Sequence, residues 1–410
     1  AAGIASITVG STAAAGDFTS IDSEVVAALA VDATDMGTTD NEDLVLTNTG
    51  TAGAVQTAFT VTAADGNVDA SGTTAAVTVT FVDDANGDGD AHSFVGGTGL
   101  ATVSGADDGD DGDTITVTNA VNVVAVGPTL FDITGTAAGD TIVGSDQADT
   151  ITGGAGSDNL SGGAGIDVFS TSNANLTGFD TISGGEGDDV LTLTDAATVV
   201  DDDFTSVTSV ESLDVSAAGS TATLGTKASA AGIASITGGA NADTIELTLN
   251  FSNNATIVGG GGADTFVVAD GFGTDTVTGG ETTSTGIDAD TIDLSAVTTN
   301  LTVIFTGPEA GTITDGVNTI TFTEIERLIL GDGADTVDAT GSPIGVDIVL
   351  SGGNDSFAGS VGDDSVTGDA GSDVIAGGTG NDTLDGGADK DSLIGDEGAD
   401  LLTGGTGDDT

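Results

Sequence analysis

The chain has no cysteine, tryptophan or tyrosine, and its 410 residues include only three basic side chains, one histidine and three prolines. Each shortage excludes something. Without cysteine there are no disulfides and no thiolate metal sites. With His92 as the sole histidine, a Cys/His zinc site or a Ser-His-Asp triad has no material, and His92 is read as a surface residue. Lys227, Arg327 and Lys390 cannot neutralise a phosphate backbone, so nucleic acid is excluded as a partner and anionic membranes are disfavoured. The three are read as local counter-charges. No run of eighteen apolar residues is present, so no membrane insertion is expected. Without Trp or Tyr there is no sugar platform for paired carboxylates to act beside, and no catalytic residue is assigned: the chain is not expected to be an enzyme.

What is present is acid and glycine. Sixty-six acidic residues against three basic ones give a net charge of −63, and there are 67 glycines. The apolar residues are mainly Ala and Val with 14 Phe, a supply suited to a thin, elongated architecture rather than a thick aromatic core. Self-repulsion on this scale predicts a chain that is largely disordered without a counter-ion and folded with one.

The acid is placed with a period. Asp355, Asp364, Asp373, Asp382, Asp391, Asp400 and Asp409 stand nine residues apart, and each of the first six has an aliphatic or Phe side chain two positions after it. The segment runs GGTGNDTLD, GGADKDSLI, GDEGADLLT, GGTGDDT. The same register occurs at 135–170 as GTAAGDTIV, GSDQADTIT, GGAGSDNLS, GGAGIDVFS, with Asp140, Asp149, Asp158 and Asp167. This is the Gly-Gly-x-Gly-x-Asp-x-hydrophobic-x pattern of a calcium-binding parallel β-roll. Three residues around the aliphatic position form a short strand, such as 383–385, with Leu384 turned inward. The preceding six make a tight turn that needs glycine. Two units complete one coil, so residues eighteen apart stack: Asp355, Asp373, Asp391 and Asp409 on one edge, Asp364, Asp382 and Asp400 on the other. Stacked carboxylates repel by about 1 kcal/mol per pair at about 4 Å in water, and more when desolvated. A hard divalent cation reverses the sign, because Ca2+ takes about six to eight oxygens from carboxylates and carbonyls. The glycine runs do not cradle phosphate, since they lack a following helix and a Lys.

Along the chain four segments are expected. Residues 1–128 read as an all-β, β-sandwich-like domain: Phe59 and Val61, Val77, Val79 and Phe81, and Ile115 and Val117 alternate with threonines, and Gly127-Pro128 makes a boundary. Asp22–Val31 has a short helix as its alternative. Residues 129–195 are a first β-roll block ending at Asp189, which sits 22 residues after Asp167 and implies a four-residue insertion in a coil. Residues 196–345 read as an irregular β-solenoid with single repeats at Asp243, Asp264 and Asp335, and rungs at 210–215 and 325–330. Residues 346–410 resume strict nonapeptides. AAGIASIT at 1–8 recurs at 230–237. With Ala1 in place of Met, and Thr410 short of a full unit, the expectation is a longer repetitive parent carrying any secretion signal elsewhere.

Two acidic stretches stand outside the register. Asp84, Asn86 and Asp88 match the front half of a DxNxDG calcium loop, but Val95 stands where the bidentate Glu of an EF-hand belongs. Both a calcium site and a solvated acidic turn remain open there. The run 107–113 is read as a solvated hairpin turn.

The repeats resemble those of the RTX (repeats-in-toxin) family of secreted bacterial proteins. The resemblance implies a calcium-ligand role for Asp140, Asp149, Asp158, Asp167, Asp355, Asp364, Asp373, Asp382, Asp391, Asp400 and Asp409, and for Asp189, Asp243, Asp264 and Asp335. GSDQADTIT and GSVGDDSVT depart from it by lacking the second glycine. The Thr/Ala/Gly/Asp-rich remainder is similar in style to RTX surface-layer proteins. That implies a secreted or cell-surface structural protein, self-associating into a layer or filament through calcium-bridged acidic faces, with cell-surface polysaccharide as a second partner. An RTX adhesin module, and the calcium-folding secretion region of an RTX enzyme, are the alternatives.

Overall fold

The computed structural model describes residues 130–410, apart from 179, 197, 218, 249–250, 252–253 and 281–288. Before residue 130 it describes the strands named below together with Gly96. The described chain is nearly all strand, with one helix, Thr226–Ala231, and one 3-10 turn, Asp201–Phe204. It divides into two compact units, 1–192 with 206–210, and 193–205 with 211–410.

In the first unit, strands alternate between two sheets and pair in parallel with the next but one along the chain. One sheet runs Ser6–Thr8, Ala28–Ala33, Ala58–Ala63, Ala76–Phe81, Leu100–Ser104, Asn122–Val126, Thr141–Val143, Asn159–Ala164, Thr181–Glu186. The other includes Asp43–Thr47, Asn67–Gly72, Ala91–Val95, Thr114–Thr118, Leu130–Thr134, Thr150–Thr152 and Val168–Thr171. This is a parallel β-solenoid. Every coil contributes one inward side chain per short strand: Ile142, Leu160 and Ile182 stack on one side of the core, Ile133, Ile151 and Phe169 on the other. Each such burial is worth about 1.5–3 kcal/mol, so a thin core is adequate when repeated.

The all-β class and the solenoid agree with the sequence expectation, but the sandwich-like reading of 1–128 needs correction. Its strands do alternate and do lie in two sheets. They pair in parallel, however, and the pairing continues across Gly127-Pro128, where Thr114–Thr118 is in register with Leu130–Thr134. Period-two alternation says which side chains face inward, and it is the same for a strand with antiparallel or parallel neighbours. Within the stretch that had a helix as its alternative, Ile21–Asp22 and Ala28–Ala33 are strands.

The second unit is a solenoid of the same kind. Ala222, Ile245, Phe266, Ile292, Leu328, Ile348, Val366 and Leu384 form one continuous inward column along successive strands. Its coil length varies. Stacked positions are 23, 21, 26, 36 and then 20 residues apart before settling at 18 in the strict repeats. The longest coil holds an antiparallel excursion, Thr302–Gly307, Ala310–Thr314 and Thr319–Thr323. Phe305 and Phe322 pack edge-to-face inside it, with ring centroids 5.5 Å apart. The two copies of AAGIASIT both end in a strand, Ser6–Thr8 and Ser235–Thr237. Lys227 pairs with Asp202 at 2.7 Å, and Arg327 stands 3.8 Å from Asp347. Both pairs are partly exposed and worth about 0–1 kcal/mol.

Candidate metal centres in the glycine turns

Each nonapeptide builds its turn and its strand from separate residues. In the unit 377–385, Gly378 and Gly380 take φ of 95° and 145°, left-handed values that an L side chain resists. The strand Thr383–Asp385 follows, with Leu384 fully buried between two outward neighbours. Between turn and strand stands Asp382, also buried, and a Cβ on Gly377 would collide with its Oδ2. The first glycine is therefore a cradle for the carboxylate.

The sixth-position aspartates form columns. The Asp140 amide donates to Asp158 Oδ1 (2.9 Å), Asp149 to Asp167 (2.8 Å), Asp167 to Asp189 (2.8 Å) and Asp243 to Asp264 (2.7 Å). In the last block Asp335 donates to Asp355 (2.7 Å), Asp355 to Asp373 (2.8 Å), Asp373 to Asp391 (3.0 Å) and Asp391 to Asp409 (3.1 Å). Asp364 donates to Asp382 (2.9 Å) and Asp382 to Asp400 (3.1 Å) on the opposite edge. One carboxylate oxygen is thus consumed in tying coil to coil through a charge-assisted hydrogen bond. The four-residue insertion lies where the 22-residue spacing placed it, since Asp167 and Asp189 remain neighbours in their column.

The second oxygen decides what the turn can hold. Oδ2 of Asp167, Asp335, Asp355, Asp373, Asp382 and Asp391 is buried without a hydrogen-bond partner. A desolvated carboxylate oxygen left in this state is costly unless a cation answers it. Burial accordingly raises the carboxyls of Asp167 and Asp335 to about 7 and of Asp355 to about 6, with the charge of stacked aspartates adding to it. Among the described residues no three acidic side chains converge on one point, so main-chain carbonyls of the turns are the remaining oxygen source. An oxygen-only donor set, a glycine cradle and unanswered carboxylate oxygens fit a hard divalent ion such as Ca2+. When bound, the ion supplies positive charge to carboxylates that otherwise repel.

The proton stands in for that charge when calcium is removed. The raised values mean that the metal-free folded chain holds protons which the unfolded chain, near 3.8, has released. Metal-free stability therefore falls as pH rises from about 4 to about 7, by roughly 1.4 kcal/mol per shifted unit for each group. Calcium has the opposite preference. Titrating calcium into the protein at pH 6 is expected to release protons, and the apparent affinity to weaken from pH 7.5 to pH 5.5; proton uptake on binding, read in buffers of different ionisation enthalpy, would contradict this.

The structure also brings residues into the columns that the nonapeptide pattern does not mark. Asp180 accepts the Asp158 amide at 2.9 Å, Asp275 the Ala255 amide at 2.8 Å, Asp290 the Asp264 amide at 2.8 Å, and Glu326 the Asp290 amide at 2.6 Å. Their signal in the sequence is an acid two positions before an aliphatic residue, as in Asp180-Thr181-Ile182 and Asp290-Thr291-Ile292, without the full Gly-Gly-x-Gly run. Asp84, Asn86, Asp88 and the run 107–113 lie outside the described residues. His92 lies in the strand Ala91–Val95.

The RTX calcium-binding nonapeptide repeat family matches the chain in four copies, at 134–169, 176–195, 350–384 and 376–410. No curated protein matches the sequence. The matched segments contain columns of buried aspartates, and RTX repeat proteins are typically secreted. Among the described residues no helix is long and apolar enough to cross a membrane. The stretches 134–169, 176–195 and 350–410 are thus RTX calcium-binding nonapeptide repeats, whose glycine turns and stacked aspartates form edges of parallel β-solenoid coils.

Proposed function

We propose that this chain is a structural module of an extracellular surface layer or filament, a scaffold rather than a catalyst, which calcium makes rigid and self-associating. The observation that carries the reading is that the described strands of each unit form one repeated coil, including coils that lack the nonapeptide. A unit built from a single stacked element is suited to carrying load and presenting a regular surface. Its net charge of −63 keeps copies apart in the absence of divalent ions, and calcium bridging between acidic faces supplies the attraction that lets them meet. Cell-surface polysaccharide is a further partner for such a layer.

Electron microscopy of the purified chain, first in EGTA and then in several millimolar calcium, tests this. Ordered sheets or filaments that form only with calcium and dissolve on chelation are the expected result. Discrete folded particles in calcium would overturn self-assembly and leave an adhesin module or the folding region of a secreted enzyme.

A further inference from the structure

The turns of this solenoid are not alike at the residue four positions before the aspartate. In one kind that residue turns its backbone outward: Gly163, Ser351, Asp369, Gly378 and Gly387 have φ of 121°, 69°, 66°, 95° and 95°. These precede Asp167, Asp355, Asp373, Asp382 and Asp391, whose Oδ2 is buried and unanswered. In the other kind the residue closes onto the carboxylate. The Thr136 amide donates to Asp140 Oδ2 at 2.6 Å and its hydroxyl to Oδ1 at 3.0 Å. Ser145 does the same for Asp149, at 2.5 Å from its amide and 3.2 Å from its hydroxyl. Ser360 does so for Asp364, at 2.8 Å and 2.7 Å. None of these three takes a left-handed φ.

We propose that the two kinds of turn divide the aspartates by function: Asp167, Asp355, Asp373, Asp382 and Asp391 face calcium, whereas Asp140, Asp149 and Asp364 are satisfied by their own turn and bind none. This rests on the calcium reading of the repeats. A backbone amide aimed at Oδ2 presents its positive end where a cation would have to approach, and the oxygen cannot serve both. In the five open turns named above the residue at this position stands in the left-handed region, which the β-branched Thr136 resists most. The hydroxyl adds a second donor that the glycine form lacks. Residue type alone does not decide the matter. Ser351 occupies the same turn position as Ser360, yet it is left-handed and its hydroxyl donates to the Leu330 carbonyl at 2.8 Å rather than to Asp355. The self-closed turns let the solenoid continue where no ion sits, so the number of bound ions is smaller than the number of aspartates in register.

Equilibrium dialysis of the full chain against calcium, with circular dichroism to confirm folding, separates the two kinds. Asp382→Asn is expected to bind fewer ions per chain than wild type, Asp364→Asn to bind the same number, and Ser360→Gly to bind at least one more. Loss of as many ions from Asp364→Asn as from Asp382→Asn would overturn the division, and so would a Ser360→Gly chain that gains none. If Asp364→Asn does not fold, Ser360→Gly decides. A folded wild-type chain that takes up no calcium would sink the calcium reading itself, a result distinct from equal losses in the two aspartate variants.

Discussion

Chelating calcium is expected to unfold this protein, and restoring it to refold it, with far-ultraviolet circular dichroism passing from a coil-like spectrum to a β spectrum. The chain carries 66 acidic residues against three basic ones, and its columns place buried carboxylates one coil apart. No arrangement of Lys227, Arg327 and Lys390 can answer them. Removing the ions leaves the folded state to hold unpaired oxygens at Asp167, Asp355, Asp373, Asp382 and Asp391. An unfolded chain returns the same groups to water, and that difference favours unfolding. Each site filled at a hundred times its dissociation constant adds about 2.7 kcal/mol to the folded state. Five such sites together add about 13–14 kcal/mol, comparable to the whole net stability of an ordinary domain, roughly 5–15 kcal/mol. A spectrum and a urea midpoint that are the same in EGTA and in calcium would show that the coil stacks hold without the ion.

The second large effect is expected at a single methyl group. Gly386→Ala adds a Cβ that would lie 2.5 Å from Asp391 Oδ2 and 2.8 Å from Asp391 Cβ and Cγ. The neighbour cannot give, because Asp391 Oδ1 is held by the coil-to-coil bond from the Asp373 amide. Either the carboxylate is pushed from its cradle or the coil opens, and both remove a site as well as packing. A loss of about 3 kcal/mol or more is expected in calcium-loaded urea melts, with fewer bound ions. Gly316→Ala is the control. Gly316 has φ of 90° in the turn after Ala310–Thr314, but a Cβ there meets nothing within 4 Å, so only the backbone strain of about 1–2 kcal/mol applies. Equal losses from the two substitutions would show that the cradle is not tight.

The sequence by itself determined the chemistry of the turns. A nine-residue spacing of glycine, aspartate and an aliphatic residue admits one solution that buries the aliphatic side chain and stacks the aspartates, and the 18-residue separation of Asp355, Asp373, Asp391 and Asp409 is realised in their column. The same holds for Leu384, whose inward place follows from alternation alone. The tertiary structure decided who neighbours whom. Thr-rich alternating strands such as Ala58–Ala63 and Ala76–Phe81 carry no mark that separates a parallel coil from a sandwich, because pairing direction depends on the path of the chain between them and not on which side chains face inward. Asp180, Asp275 and Asp290 join the columns without the full Gly-Gly-x-Gly run in their sequence, because coils of differing length still bring an acid two positions before an aliphatic residue to the same edge. Ser351 and Ser360 make the point within one residue type. Their turns differ because Ser351 reaches the Leu330 carbonyl of a neighbouring coil, whereas Ser360 reaches its own aspartate, and only stacking determines which acceptor lies within a hydroxyl's reach.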